Sequence, residues 1–116
     1  MLKKSLRLQT IEEFERVFRQ GKPLFFGALA CKIAKNDLDH IRLGFSFGKK
    51  HIESAVARNR LRRVLSEALF LALPELKVLG VDIVFFAVKK LPEGDSPSVA
   101  SIVKCFVEYI NHYFSF

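Results

Sequence analysis

The chain has 116 residues, which suits one domain and leaves no room for two good cores. Hydrophobic residues make up 50% and charged residues 27%, a balance that excludes a disordered chain, and the formal net charge is +7. No apolar run approaches the roughly 18 residues needed to span a bilayer, and no apolar segment backs the basic start "MLKKSLRLQT", so a cytoplasmic protein without a signal peptide is expected.

Thr10 and Glu13 have the spacing of a capping box and predict a helix over about 11–19, closed by Gly21. Ile11, Phe14, Val17 and Phe18 share its apolar face. "FFGALACKIA" at 25–34 reads as a strand and "KNDLDH" at 35–40 as a polar turn. "IRLGFSF" at 41–47 alternates, with Ile41, Leu43, Phe45 and Phe47 on one face and Arg42, Gly44 and Ser46 on the other. These two strands are expected to form an antiparallel hairpin. A helix over about 52–72 follows and must stop before Pro74.

"VDIVFFAV" at 81–88 is apolar on both faces apart from Asp82 and reads as a central strand. "LPEGDSPS" is a loop, and Ser96 followed by Pro97 suits a helix start. Val99, Ile102, Val103, Phe106, Val107, Ile110 and Phe114 then recur at helical spacing. The order α-β-β-α-β-α, with room for a short strand around 47–50, implies one α+β sandwich domain over 1–116, with helices packed on a single sheet.

The charge is concentrated. From Arg42 to Arg63 there are seven basic residues (Arg42, Lys49, Lys50, Arg58, Arg60, Arg62, Arg63) against one acid, Glu53, a net of +6 out of +7. That asymmetry points to a polyanion, nucleic acid first and an acidic membrane second, against the alternative of a solvated basic face with no partner.

On a helix at 100° per residue, Ala57, Leu61, Val64, Leu65, Ala68 and Ala72 fall in one arc of about 100° and predict the packed face. Arg58, Asn59, Arg60, Arg62 and Arg63 fall on the arc outside it. Like charges this close repel, and only Glu67 is placed to relieve Arg63. Phosphates would complete such a face, and a guanidinium forks onto phosphate oxygens and stacks on bases. Asn59 either reads a base edge or ribose hydroxyl, buttresses a neighbouring arginine, or is a tolerated surface residue. Lys49 and Lys50 extend the basic surface around the helix start. Cys31 and Cys105 lie far apart in apolar runs, which favours two buried free thiols and leaves a disulfide open. The three histidines show no ligand spacing, so no protein-bound metal is expected.

The stretch "RLGFSFGKKHIESAVARNRLRRVLSEAL" resembles the protein subunit of bacterial ribonuclease P. That family carries R-x-G-x-S-x-x-K-K, a short spacer, then A-V-x-R-N-R-x-[KR]-R-x-x-R-E. Here these are Arg42, Gly44, Ser46, Lys49 and Lys50, then Ala55, Val56, Arg58, Asn59, Arg60, Arg62, Arg63 and Glu67. "IEEFERVFRQGK" and "VDIVFFAVK" resemble the family's first helix and last strand, so the likeness covers nearly the whole chain.

The resemblance implies an α/β sandwich on a small mixed sheet, with a left-handed crossover around the arginine-rich helix; general rules favour the opposite hand. It also implies a ribonucleoprotein that removes the 5′ leader from precursor tRNA. Its RNA subunit would perform the hydrolysis with Mg2+, leaving the protein with no catalytic residue and no cofactor. Arg42, Ser46, Lys49, Lys50, Arg58, Asn59, Arg60, Arg62 and Arg63 would contact the catalytic RNA. Phe14, Phe18 and Lys32 would line a leader-binding cleft; plain core packing is the other reading of the two phenylalanines. Two positions depart from the family: Ser66 and Val88 stand where it carries arginine, with Lys89 and Lys90 beside the second.

Two other classes share parts of the pattern. A stand-alone RNA-binding module would have the charge but would not need the lysine pair and the arginine motif together. A protein-only nuclease would need clustered carboxylates or an acid–base pair, and the twelve acids show no such motif.

Overall fold

In a computed structural model of the chain, residues 6–76, 80–91 and 98–113 are described. Helix α1 spans Ile11–Gln20 and opens on the expected capping box: the Thr10 hydroxyl accepts from the Glu13 N–H while the Glu13 carboxylate accepts from the Thr10 N–H. Strand β1 is Lys22–Phe26 and β2 is Leu29–Lys35, joined by a tight turn in which Gly27 takes φ 65°. A two-residue hairpin turn favours glycine at such a positive φ. The single strand expected over 25–34 is therefore a hairpin.

Strand β3 is Arg42–Ser46, helix α2 is Ala55–Ala72, strand β4 is Val81–Ala87 and helix α3 is Val99–Tyr113. Residues 47–50 form no strand. Helix α2 ends in a short 3-10 turn at Leu73–Glu75 that contains Pro74. The Ser98 hydroxyl accepts from the Ser101 N–H at 3.4 Å at the start of α3. The helix start expected at Ser96–Pro97 and the apolar position Phe114 lie outside the described residues.

The sheet order is β1-β2-β4-β3, with β1 and β2 antiparallel, β2 and β4 antiparallel, and β3 and β4 parallel. The hairpin expected between the second and third strands is absent, because β4 lies between them. The reason is burial: six of the seven residues of β4 are buried, so it needs a neighbour on each side and cover on both faces. Strand β1 carries Pro23 and takes an edge, where a missing N–H is tolerated.

Helix α1 lies on one face and α2 and α3 on the other. Leu29, Ile33, Leu43, Ile83, Phe85, Leu65, Leu69, Phe106 and Ile110 form the larger core. Val17 packs with Leu8, Ala34 and Val84 on the α1 side. Ile11, expected on that packed face, is 77% exposed.

Candidate nucleic-acid interface

The buried residues of α2 are Leu61, Leu65, Leu69 and Ala72. At 100° per residue, the centre of this stripe is rotated by about 50° from the arc expected from the sequence. Val64 consequently turns out to solvent and Leu69 turns in. Arg58 falls within the arc of this stripe, at the first turn of the helix. It is half-buried, and its Nη1 donates to the carbonyls of Ile52 at 2.8 Å and Glu53 at 2.9 Å, bracing the loop that enters the helix.

Asn59, Arg60, Arg62 and Arg63 are exposed. Arg62 Nη1 donates to Asn59 Oδ1 at 3.2 Å, so Asn59 buttresses an arginine one turn on. Among the described residues Arg60, Arg62 and Arg63 form no ion pair, and Glu67 does not neutralise Arg63. Lys49 and Lys50 are exposed in the turn before α2, whose N-cap Ser54 accepts from the Ala57 N–H at 3.2 Å. Lys90 pairs with Glu53 at 3.2 Å near the same helix end.

Arg42 is placed apart from this face. Its Nε donates to Asp82 Oδ1 at 2.8 Å, its Nη2 to Asp82 Oδ2 at 2.7 Å, and its Nη1 to Glu13. Parallel pairing sets Arg42 directly beside Asp82, and α1 closes over both. Asp82 also accepts from Arg16 and, at 2.7 Å, from Asn36. Burial pushes the Asp82 carboxyl up, but the hydrogen bonds from Arg42, Asn36 and Arg16 outweigh it and hold the group below its ordinary value. The N–H groups of Gln9 and Thr10, with Arg42, hold Glu13 below its ordinary value too. The Arg42 guanidinium is thus an internal tie between sheet and helix. The sequence signal for it was the lone acid in an apolar strand; its partners Arg16 and Asn36 carried none.

The cleft residues fall on the α1 side of the sheet. Register puts Phe25, Ala30, Phe86 and Ser46 in one row across the four strands, and Pro23, Lys32, Val84 and Gly44 in the next. Phe18 meets Phe86 edge-on at 5.2 Å between ring centroids. Lys32 Nζ donates to the Phe18 carbonyl at 2.7 Å, at the helix C-terminus where a cation is favoured, and sits 5.8 Å from the Phe18 ring centroid. Phe14 lies over Gly44, where an added Cβ would stand 2.7 Å from two ring carbons. Phe14 and Phe18 are both part-packed against the smaller core and part-exposed, so core packing accounts for only part of each ring. Phe25, 63% exposed, and Phe86 extend the aromatic surface beyond what the sequence indicated.

Cys31 is buried, and burial pushes its thiol pKa up. Cys105 is exposed on α3, which corrects the expectation that both thiols are interior; both are free. Among the described residues, no three His, Cys, Asp or Glu side chains converge as a metal set, and no helix is long and apolar enough to cross a membrane.

A family model described as Ribonuclease P matches residues 2–111. The ribonuclease P protein component of an Exiguobacterium species is 40% identical over 75 residues; the match spans 65% of this chain and 65% of that protein's length. That of a Thermoanaerobacter species (strain X514) is 36% identical over 95 residues, 82% of this chain and 80% of that protein. The structure of the Staphylococcus aureus RNase P protein superposes with a TM-score of 0.74 at 26% identity, covering 97% of this chain and 100% of that one.

Proposed function

The chain belongs to the ribonuclease P protein family, and from that premise we propose that it is the protein subunit of a ribonucleoprotein endonuclease that removes the 5′ leader from precursor tRNA. The observation that carries the proposal is the outer face of α2, where Arg60, Arg62 and Arg63 stand exposed and, among the described residues, without acidic partners while the same helix packs by Leu61, Leu65 and Leu69. We assign the catalytic RNA to this face, with Asn59, Lys49 and Lys50 around it and Arg58 at its margin; Ser46, expected in the same group, lies at the end of β3 in the row that faces the α1 side. Arg42 supports the surface from behind.

The precursor's single-stranded leader is assigned to the opposite side of the sheet, against Phe14, Phe18 and Lys32, where aromatic rings beside a cation suit base stacking and phosphate attraction. Two surfaces on opposite faces of one sheet let the protein hold both RNAs together. Phosphodiester hydrolysis, with its Mg2+, is assigned to the RNA subunit, and the protein to binding and orientation in the cytoplasm.

The test is reconstitution with the matching catalytic RNA and a precursor tRNA at low magnesium. Leader removal should rise on adding the protein. No stimulation would sink the reading, and efficient cutting by the protein alone would overturn the assignment of the chemistry to RNA.

A further inference from the structure

At the outer edge of β3, between the α1 and α2 layers, lies a cavity of about 180 Å³ lined chiefly by Arg7, Leu8, Phe14, Phe45, Arg62 and Ser66. It is smaller than the ~300–1,000 Å³ of sites that hold a drug-sized ligand, so it suits one ring system rather than a large cofactor. We propose that this pocket takes a single nucleotide of single-stranded RNA. The base would lie against the rings of Phe14 and Phe45, the phosphate beside Arg7 and Arg62, and the Ser66 hydroxyl would bond to the base or ribose. The proposal rests on the RNA-binding reading above and gives it a further site.

Three features carry it. The first is chemical mixture: aromatic rings from opposite faces of one strand meet two exposed guanidiniums and a hydroxyl. Neither Arg7 nor Arg62 has an acidic partner among the described residues. Stacking with cation–phosphate contact is how single-stranded RNA is held without a long base-pairing surface.

The second feature is construction. A Cβ on Gly44 would stand 2.7 Å from the Phe14 ring and 3.0 Å from Leu8 Cδ1, so the bare glycine lets both close over β3. The Leu8 N–H donates to the Leu43 carbonyl at 2.9 Å, which pins the segment carrying Arg7 along the strand edge. A short side chain at 66 leaves the space open, where a long one would extend into it.

The third feature is position. Phe14 belongs to the aromatic cleft and Arg62 to the basic face of α2. A strand crossing the edge of β3 would pass from one surface to the other through this pocket.

Photocrosslinking of the assembled ribonucleoprotein tests the idea, with thiouridine placed in the catalytic RNA or in the precursor tRNA in turn and adducts mapped by mass spectrometry. An adduct on Phe14, Phe45 or residues 6–8 is expected, and the labelled strand identifies which RNA supplies the nucleotide. Ser66→Leu should lower that adduct about tenfold, in the range for losing one stacked base. Ser66→Thr, which keeps the hydroxyl, should retain it. Adducts near Arg60 and Arg63 should persist in both. Should Ser66→Leu fail to fold, Arg7→Ala at an exposed position carries the same expectation. A pocket adduct unchanged by these variants, or adducts confined to the arginine face, overturns the pocket and leaves the RNA-binding reading intact. No adduct at all, together with no affinity for the catalytic RNA, overturns both.

Discussion

Arg42 on the edge strand β3 and Asp82 on the central strand β4 sit side by side in register and share two hydrogen bonds, at 2.8 and 2.7 Å. Asp82 has no exposed surface, and Arg16 from α1 joins it from above. One carboxylate thereby ties the helix to the sheet beside the proposed cleft.

Removing that carboxylate leaves two guanidiniums facing each other without their shared partner. Breaking a buried pair costs about 3–5 kcal/mol. The partial exposure of Arg16 and Arg42 puts Asp82→Ala toward the lower end, about 3 kcal/mol. Denaturant unfolding of the variant against the parent checks this; a loss below about 1 kcal/mol would show that the tie contributes little.

Acid should loosen the same tie. Asp82 and Glu13 are held below their ordinary values of 3.8 and 4.5. Lowered folded-state values contribute stability that is present above the ordinary values and is lost as pH falls through the lowered ones. The melting temperature should drop on acidification below about pH 4, and Asp82→Asn should flatten the drop. Identical acid profiles for parent and variant would contradict this.

Arg60→Ala with Arg63→Ala should weaken binding to the catalytic RNA without lowering the melting temperature, because both side chains are exposed. Losing two phosphate contacts should reduce the log–log salt slope by about 1.5. Affinity measured from low to moderate salt provides the check, and an unchanged slope removes these arginines from the interface.

A thiol reagent should label one cysteine quickly under native conditions. Cys105 is exposed, and Cys31 is buried with its thiol pushed away from the reactive thiolate. Cys31 should react only on unfolding. Rapid labelling of both would place Cys31 at the surface.

Much of this was legible from local pattern. The capping box of Thr10 and Glu13, the alternation through β3 and the apolar run of β4 each depend on residues within one element. The structure departs from local pattern where a choice between elements is required. Gly27 was a visible turn signal inside "FFGALACKIA", and the continuous apolar run around it masked the hairpin. The antiparallel pairing of the second and third strands was the simplest expectation for neighbours in sequence, but β4 came between them. On α2, Val64 and Leu69 are equally apolar by type, and only the layer it packs against decides which turns inward.

The sequence by itself determined the family, through the spacing of Arg42, Gly44, Ser46, the lysine pair and the arginine run. It also determined that the stretch from Arg42 to Arg63 would carry most of the net charge, with four arginines on one helix, because charge and periodicity are properties of the chain. The tertiary structure decided which of those residues face outward. It set the rotation of α2 that half-buries Arg58, the strand order that places Arg42 against Asp82, and the edge where Arg7, Phe14 and Ser66 meet. Those outcomes depend on contacts between residues distant in sequence, where packing and the pairing of buried charge select one arrangement that no local pattern encodes.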